Sequence, residues 1–353
     1  MLPTSQARLT KLFLRELRLC AVKPDETVAM LTNLATRREY VAACHEAACE
    51  LGAFAYELGL GTLPDASRVA ADGLSGVDGL FGTLKQAHLL VTFHAPNFSR
   101  WARDLRANGT RILAILDGPQ ELERLMSPPG LKEAVLAAAA RWQAARELTL
   151  LNKAGTRLTW RRGEFNVKSQ YGFAEERGRV DHWGAGHITN YPDEGSANGT
   201  VVVQPGDLWI LPFARVVESE IRLEVRDGFI RKVEGGADAK VFSHWLDRNR
   251  LSENDLDPYA VSHLGFGLHP NCHRDYIFHV GARLERLTAA ARVFAGNFLF
   301  STGPNTEGGG KRATKGHIDM PMCDCTVLLD GKPILVDGKF HDAALIVEPT
   351  WRG

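Results

Sequence analysis

The sequence lacks an excess of charge of either sign, because 42 lysine and arginine residues balance 42 aspartate and glutamate residues. Nucleic-acid-binding proteins normally carry a basic face, so this balance argues against nucleic acid as a partner. The sequence also lacks an apolar run of about 18 residues, the length that a membrane-spanning helix needs. Its first residues show no basic start, apolar run and small-residue cleavage site, so we expect a cytoplasmic protein.

Cysteine is scarce. The six cysteines are not spaced as a disulfide framework; they are Cys20, Cys44, Cys49, Cys272, Cys323 and Cys325. The Cys323 and Cys325 pair is too tight for an ordinary zinc knuckle. On a strand the two thiols would share one face, so we interpret them as reduced residues in the core or near a site. A metal role for them is the less favoured alternative.

Several catalytic motifs are also missing. The glycine-rich run at 308–312 lacks the spacing of a phosphate-binding loop and the Ser or Thr after its lysine. No Gly-x-Ser-x-Gly elbow and no His-Glu-x-x-His helix occurs, and Gly59-Leu60-Gly61 is too short for a dinucleotide fingerprint. These absences argue against an ordinary nucleotide-binding, serine hydrolase or zinc protease motif.

The first part of the chain has the pattern of an α/β domain. At 353 residues and 44% apolar content, the chain is long enough for two domains with ordinary cores. Within residues 1–150, the pattern predicts helices at 5–20, 37–52, 80–87, 97–107 and 130–146. It predicts strands at 27–31, 53–60, 89–93 and 111–116. This alternation is typical of a parallel sheet with covering helices.

The second part, residues 151–353, is predicted to be an α+β metal-binding domain. Strands are predicted at 147–152, 157–161, 201–203, 208–211, 220–225 and 229–233, with helices at 238–250 and 281–296. Asp227-Gly228 and Asp330-Gly331 each lie between two apolar runs, which is a strong signal for a hairpin.

The strongest candidate site is the His317-Ile318-Asp319 stretch. Residues i and i+2 of a strand point to the same side, so the imidazole of His317 and the carboxylate of Asp319 would face one point. A third ligand must come from elsewhere, and two histidines with one carboxylate suit non-haem Fe(II) and oxygen chemistry. The alternative is a surface histidine beside a turn aspartate. The glycine-rich run at 306–311 is a candidate flap over a ligand.

Other histidines are candidates for ligands or for proton transfer. His182 and His187 lie in a glycine-rich aromatic stretch that either lines a pocket or forms a solvated loop. His94 follows the strand at 89–93, and ligands in parallel sheets bind at such carboxyl ends. We expect it to reach an interdomain cleft; the alternative is a capping or loop histidine.

His263 lies in an apolar, glycine-punctuated segment. A buried histidine there needs a partner, so it is either a ligand or a core histidine bonded to a backbone carbonyl. His269 and His273 compete with it for the ligand role.

Together these stretches resemble a known family. The runs at 263–267 and 316–319 are similar to the C-terminal half of the thermophilic aminopeptidase T-type metalloproteins. With 181–183 and 192–195, they resemble most the bacterial 2,5-dihydroxypyridine 5,6-dioxygenases of nicotinate and nicotine breakdown. The resemblance covers nearly the whole chain and implies the same two-domain layout, in a homo-oligomer.

The resemblance implies His263, His317 and Asp319 as ligands of Fe(II). The resembled peptidases carry a glutamate where His263 stands, and their further histidine before the final His-x-Asp is absent here. Compared with the peptidase site, this site has fewer ligands and a histidine in place of the glutamate, which suits one Fe(II) better than two zinc ions. A metal-dependent aminopeptidase remains an alternative and would need Glu194, Glu218 or Glu220 as further ligands. A non-catalytic small-molecule binding protein is the third possibility.

The implied reaction opens a small aromatic N-heterocycle with molecular oxygen. Cleavage of 2,5-dihydroxypyridine between carbons 5 and 6 would give N-formylmaleamate. The 5-hydroxyl must lose a proton, and a neutral histidine is the natural base. The candidates are His94 and His187, with His182 behind them; Ser301 would hold the ring nitrogen or the 2-oxygen, and Glu175 and Glu194 would fix the histidines around the substrate.

Overall fold

The computed structural model describes residues 5–61, 78–97, 99–272 and 290–351. The chain divides into two compact units, neither of which is continuous in sequence. The first unit comprises Met1–Ser127 and Gln170–Ala185. The second comprises Pro128–Ser169 and Gly186–Gly353. In the described residues, no helix is both long and apolar enough to cross a membrane.

The first unit is built on a five-stranded parallel sheet in the order β2-β1-β3-β4-β8. Its strands are β1 (Thr27–Thr32), β2 (Phe54–Gly59), β3 (Leu89–Thr92), β4 (Arg111–Ala114) and β8 (Val180–His182). Its helices are α1 (Gln6–Leu19), α2 (Arg38–Glu50), α3 (Asp78–Lys85), α4 (Arg100–Ala107) and α5 (Pro119–Arg124). The predicted α/β fold with a parallel sheet is confirmed for this part of the chain.

Two apolar cores explain why the central strands of this sheet, β1, β3 and β4, are largely apolar. One core packs residues of α1 and α2, such as Phe13 and Tyr40, against Val91 of β3. The other packs Trp101 and Leu105 of α4 against a different set of strand residues. Since helices cover both faces, β3 and β4 are buried along their whole length, as in other parallel sheets.

The predicted domains, residues 1–150 and 151–353, differ from these units. The short strand β8 pairs in parallel with β4 and completes the first sheet, although it follows the predicted boundary. Conversely, α6 (Leu131–Ala144) belongs to the second unit, where Trp142 packs edge-on against Phe266. Strand β8 has only three residues, two of them polar, so it carries no clear strand pattern.

The larger sheet of the second unit has eight strands in the order β14-β13-β10-β6-β5-β18-β19-β20. They are β5 (Glu147–Leu151), β6 (Arg157–Arg161), β10 (Asn198–Val203), β13 (Ile221–Arg226), β14 (Phe229–Gly235), β18 (Thr326–Leu329), β19 (Lys332–Val336) and β20 (Lys339–Phe340). Both predicted Asp-Gly hairpins are confirmed, and Asp337-Gly338 forms a third. All six turn residues have positive φ, as two-residue hairpin loops with this twist require.

A second sheet of this unit carries the site. Its order is β17-β16-β15-β9-β7, with β7 (Lys168–Gln170), β9 (His187–Asn190), β15 (Val261–Gly267), β16 (Phe298–Thr302) and β17 (Ile318–Met322). Strands β9, β15, β16 and β17 are buried along their whole length. The loop alternative for residues 187–190 is therefore wrong.

The remaining elements are short. A two-stranded ribbon joins β11 (Leu208–Trp209) to β12 (Arg215–Val216), and α7 (Ala237–Arg248) confirms the helix predicted at 238–250. The helix predicted at 281–296 lies largely outside the described residues. Its described portion begins with the 3-10 helix Ala290–Arg292.

Candidate metal centre

His317 and Asp319 meet at the start of β17, as their spacing predicts. The Nε2 atom of His317 lies 3.4 Å from Oδ1 of Asp319. The backbone of Asp319 is held from both sides: it pairs with Ser301 of β16, and its N–H donates to the carbonyl of Leu211 at 3.2 Å. This ladder fixes the direction in which the carboxylate projects.

The third ligand comes from β15, on the far side of β16. The Nε2 atom of His263 lies 3.2 Å from Oδ1 of Asp319. Strands two places apart in a sheet are about 10 Å apart, so both side chains must lean over β16. The β16 residue opposite Asp319 is Ser301, whose small side chain leaves that space open. Its hydroxyl donates to the backbone carbonyl of His263 at 2.6 Å.

The hydrogen bonding of His317 leaves a lone pair for a cation. Its Nδ1 lies 2.8 Å from the carbonyl of Thr302, and a carbonyl only accepts, so Nδ1 carries the proton. In the neutral ring, Nε2 then presents a lone pair to the Asp319 carboxylate. Two lone pairs at this distance repel each other unless a cation lies between them. An outer partner of this kind is typical of metal-binding histidines.

The Asp319 carboxylate also fits a metal ion. Both its oxygens are buried, and neither has a hydrogen-bond partner among residues 5–61, 78–97, 99–272 and 290–351. The three ligand atoms lie within 4.8 Å of one another. Ligands at right angles around an ion about 2.1 Å away would be about 3.0 Å apart, close to the observed spacing.

The protonation states suit metal binding. Burial raises the pKa of Asp319, but the neighbouring His317 and His263 outweigh it and hold this pKa well below its usual range. Burial lowers the pKa of His263, although the Asp319 charge opposes the shift. An ionised carboxylate beside a neutral imidazole is the state that binds a metal. Two histidines and one carboxylate with open positions suit Fe(II).

Two neighbours of this centre were not assigned a role from the sequence. The Tyr191 ring stands edge-on to the His263 ring, with centroids 5.7 Å apart, and a Cβ at Gly308 would clash with that tyrosine. Arg292 places its guanidinium beside the carboxylate, with Nη1 3.6 Å from Oδ2 of Asp319. Arg292 lies in the stretch predicted as a helix, where no sequence pattern distinguishes it.

His187 and Glu194 also belong to the second unit. His187 is buried at the start of β9 and pairs with Gly267, four residues beyond His263 on β15. Four strand residues span about 13 Å, so the two backbones are well separated. Glu194 accepts hydrogen bonds from Nδ2 of Asn305 at 2.6 Å and from Arg312 at 3.1 Å. It is therefore bound to the 305–312 loop.

His94, His182 and Glu175 belong to the first unit. The Nδ1 atom of His94 lies 2.9 Å from the hydroxyl of Thr92, and burial lowers the pKa of His94 to about 4. The Nδ1 atom of His182 lies 3.3 Å from Nε2 of Gln170. Glu175 accepts a hydrogen bond from the Tyr171 hydroxyl at 2.8 Å. Their predicted roles at the substrate stay predictions.

The competing ligands are not part of the cluster. Within the described ranges, His263, His317 and Asp319 form the one group of three or more residues that could hold a metal ion. His269 is buried, with Nδ1 3.3 Å from the N–H of Asn271, and His273 lies outside the described residues. The Cys325 thiol donates to the carbonyl of Cys323, and none of the six cysteines, all of them described, forms a disulfide.

Comparison with known proteins identifies the family of this chain. The model of the 2,5-dihydroxypyridine 5,6-dioxygenase family matches residues 8–342. The chain belongs to this family. A relative of that name from Pseudomonas putida KT2440 is 35% identical over 345 residues, covering 96% of this chain and 97% of the relative.

Solved structures give the same result for the fold. A structure of 2,5-dihydroxypyridine dioxygenase from Pseudomonas putida KT2440 matches with a TM-score of 0.91 and 34% identity, covering 97% of this chain and 100% of that chain. Wild-type AmpT from Thermus thermophilus matches with a TM-score of 0.62 and 14% identity, covering 95% and 99% of the two chains. The second likeness shows the fold alone. The predicted resemblance to the dioxygenases is confirmed, and the predicted likeness to the aminopeptidase T-type proteins is confirmed for the fold.

Proposed function

We propose that this chain is an Fe(II)-dependent 2,5-dihydroxypyridine 5,6-dioxygenase that uses molecular oxygen to open the ring and gives N-formylmaleamate. The observation that carries the proposal is the buried group of His263, His317 and Asp319 in a chain matched by this family along residues 8–342. A cytoplasmic location and a homo-oligomeric assembly stay predictions.

The residues of the sheet would hold and orient the ion. His263, His317 and Asp319 would be its protein ligands, and the remaining positions would be open. Iron(II), when bound, supplies a place where dioxygen and the electron-rich ring can exchange electrons. The Thr302 carbonyl fixes the tautomer of His317, and the Ser301 hydroxyl fixes the backbone of His263. Because these strands are buried, the site excludes bulk water from the reacting atoms.

A base must take the proton of the ring 5-hydroxyl. We favour His187, which is buried in the same unit as the metal ligands. His94 is the second candidate. Its pKa of about 4 keeps it neutral at working pH but makes it a weak base, whereas an efficient base has a pKa near the working pH.

The peptidase alternative has little support from the site. It needs further acidic ligands, but Glu194 is bound to Asn305 and Arg312, and Glu218 and Glu220 are exposed. A binding protein without catalysis would have no need for two buried histidines and an ionised carboxylate arranged around one point. Both alternatives become outcomes of the experiment below.

The decisive experiment is oxygen uptake by anaerobically purified, Fe(II)-loaded protein given 2,5-dihydroxypyridine, with loss of the ring absorbance followed in parallel. We expect one dioxygen to be consumed for each ring lost. Asp319→Asn, which keeps the side-chain volume but removes the charge, is the matched control and should show neither change. Peptide hydrolysis with zinc or cobalt and no oxygen uptake would support the peptidase. No activity in either assay would support a binding protein.

A further inference from the structure

Arg292 is a cation beside the metal centre that the proposed function has not used. It ends the 3-10 helix Ala290–Arg292, and its side chain is only 13% exposed. Its Nη1 approaches Oδ2 of Asp319 to 3.6 Å, which is longer than a hydrogen bond. Its Nε is buried and has no hydrogen-bond partner within the part of the chain that the structure describes.

A buried guanidinium with an unused N–H normally has a partner. Each donor left unpaired costs free energy, and this cost is higher for a charged group. The contact to Asp319 does not meet this need, because it is made by Nη1 and not by Nε, and at 3.6 Å it is longer than a hydrogen bond. The Nε–H of Arg292 can therefore donate to a bound ligand, since none of the described protein groups accepts its hydrogen bond.

The charge of the centre indicates what that partner is. With a divalent ion bound, the ion and Arg292 would be balanced by the single carboxylate of Asp319. Glu307, another acidic side chain whose charge acts on the nearby Tyr191, lies 3.7 Å from the ammonium of Lys168. Counted over the residues that the structure describes, the centre thus keeps an excess of positive charge in a buried place, and an anionic ligand would relieve it.

We propose that Arg292 binds the ionised 5-oxygen of the dihydroxypyridine ring and the carboxylate that this oxygen belongs to in the product. This inference rests on the proposed function and adds the residue that recognises the anion. The oxygen on carbon 5 is a hydroxyl at the start, becomes an oxyanion when the base takes its proton, and ends in the carboxylate of N-formylmaleamate. A planar guanidinium fits both forms, since it can donate one N–H or two parallel ones.

The role of Arg292 is tested by binding, with oxygen excluded so that no turnover occurs. Fe(II)-loaded wild type, Arg292→Met and Arg292→Lys are titrated with 2,5-dihydroxypyridine and with 2-hydroxypyridine, which lacks the 5-oxygen. Losing a hydrogen bond to a charged group weakens binding by about 10- to 150-fold. We expect Arg292→Met to weaken binding of 2,5-dihydroxypyridine by this factor and to leave 2-hydroxypyridine nearly unchanged. Arg292→Lys should recover part of the loss, because lysine keeps the positive charge but not the parallel N–H donors of the guanidinium.

Iron affinity is a second measurement that separates the proposed role of Arg292 from a purely structural one. The proposed role predicts tighter iron binding when Arg292 is replaced, whereas a structural role predicts looser binding. A neutral side chain at 292 removes a positive charge close to the ligand Asp319. Iron should therefore bind Arg292→Met more tightly than wild type in competition with a chelator. Arg250→Met is the matched control: Arg250 belongs to the same unit, is 27% exposed and donates to the Asp255 carbonyl. It should leave both affinities unchanged.

Equal weakening of both ring ligands in Arg292→Met, or unchanged binding of both, would overturn the role of Arg292. Looser iron binding in that variant would also count against it, because it would mean that Arg292 supports the fold of the centre. Failure of the proposed function looks different: wild type itself would then consume no oxygen with 2,5-dihydroxypyridine. If wild type binds neither ring compound, both proposals fail.

Discussion

Buried carboxyl groups have opposite pKa shifts in the metal centre and in the core of the first unit. Asp319 is fully buried in the second unit, yet its histidine neighbours hold its pKa well below the usual range. Glu16, on α1 of the first unit, is 1% exposed, and burial raises its pKa well above the usual value. The charge of Asp181 raises it further. The pKa values of these two buried carboxyl groups are therefore shifted in opposite directions.

The difference shows that neighbours decide the charge of a buried group. Both Glu16 oxygens lack a hydrogen-bond partner in the described chain, as do those of Asp319. Burial and the charge of Asp181 both raise the pKa of Glu16, so the group can avoid the cost of a buried charge by keeping its proton. Burial likewise disfavours the charged form of His94 and lowers its pKa to about 4. Within the described residues, the group that could hold a metal ion, His263, His317 and Asp319, lies in the second unit.

The largest expected effect comes from removing the negative charge of Asp319. Asp319→Asn removes the anionic ligand but keeps the shape of the side chain. We expect loss of bound iron and of turnover, beyond the roughly 10- to 100-fold that changes to outer-shell partners of a metal cost. The measurement is iron content after desalting, with oxygen uptake on the same sample. Stoichiometric iron in Asp319→Asn would remove this residue from the ligand set.

Part of this centre could be predicted from sequence because the information is local. The His317 and Asp319 side chains share a face through the two-residue period of a strand, and the Asp-Gly turns demand positive φ. His263 required the family resemblance, since its strand β15 is separated from β17 by β16. Nothing local in the sequence relates two strands that are not neighbours.

The missed features depend on tertiary pairing. Strand β8 joins the first sheet because β4 offers it a free edge, and its three residues carry no apolar alternation. Arg292 matters only because the chain brings it beside Asp319, 27 residues later. The predicted boundary at 150 failed to anticipate the interleaved units for the same reason, because composition does not reveal which sheet a short strand joins.

The two candidate bases, His187 and His94, give the next largest expected effect. We expect His187→Ala and His94→Ala to keep iron and to lose turnover, by about 100- to 10,000-fold for the residue that takes the proton. The pH dependence of kcat/KM separates them: the variant that lacks the base loses the acidic limb of the profile. Wild-type rates in His94→Ala would mean that the low pKa of His94 reflects a structural role.

A smaller effect is expected at Asp181, a buried acid of the first unit that has hydrogen-bond partners. Burial raises its pKa, while Arg179 opposes the shift. It accepts bonds from Arg179 at 2.8 Å and from the N–H groups of Tyr171 and His182 at 3.0 and 2.8 Å. Asp181→Asn should cost about 1.5–3 kcal/mol of stability, the value of a hydrogen bond to a charged group. Urea unfolding measures it, with iron content as the control that should not change.

The smallest effect, and the one that tests the comparison most directly, is expected for Glu16→Gln. In the folded chain Glu16 keeps its proton to a higher pH than in the unfolded chain, where its pKa is about 4.3. Folding must then take up a proton as pH rises above that value, so wild-type stability falls by up to about 1.4 kcal/mol per pH unit until the folded pKa is reached. Glutamine is neutral at every pH and removes this loss. Melting temperatures between pH 5 and 8 should therefore favour Glu16→Gln increasingly toward pH 8, whereas a constant difference would show that Glu16 is ionised in the fold and that the two regions do not differ.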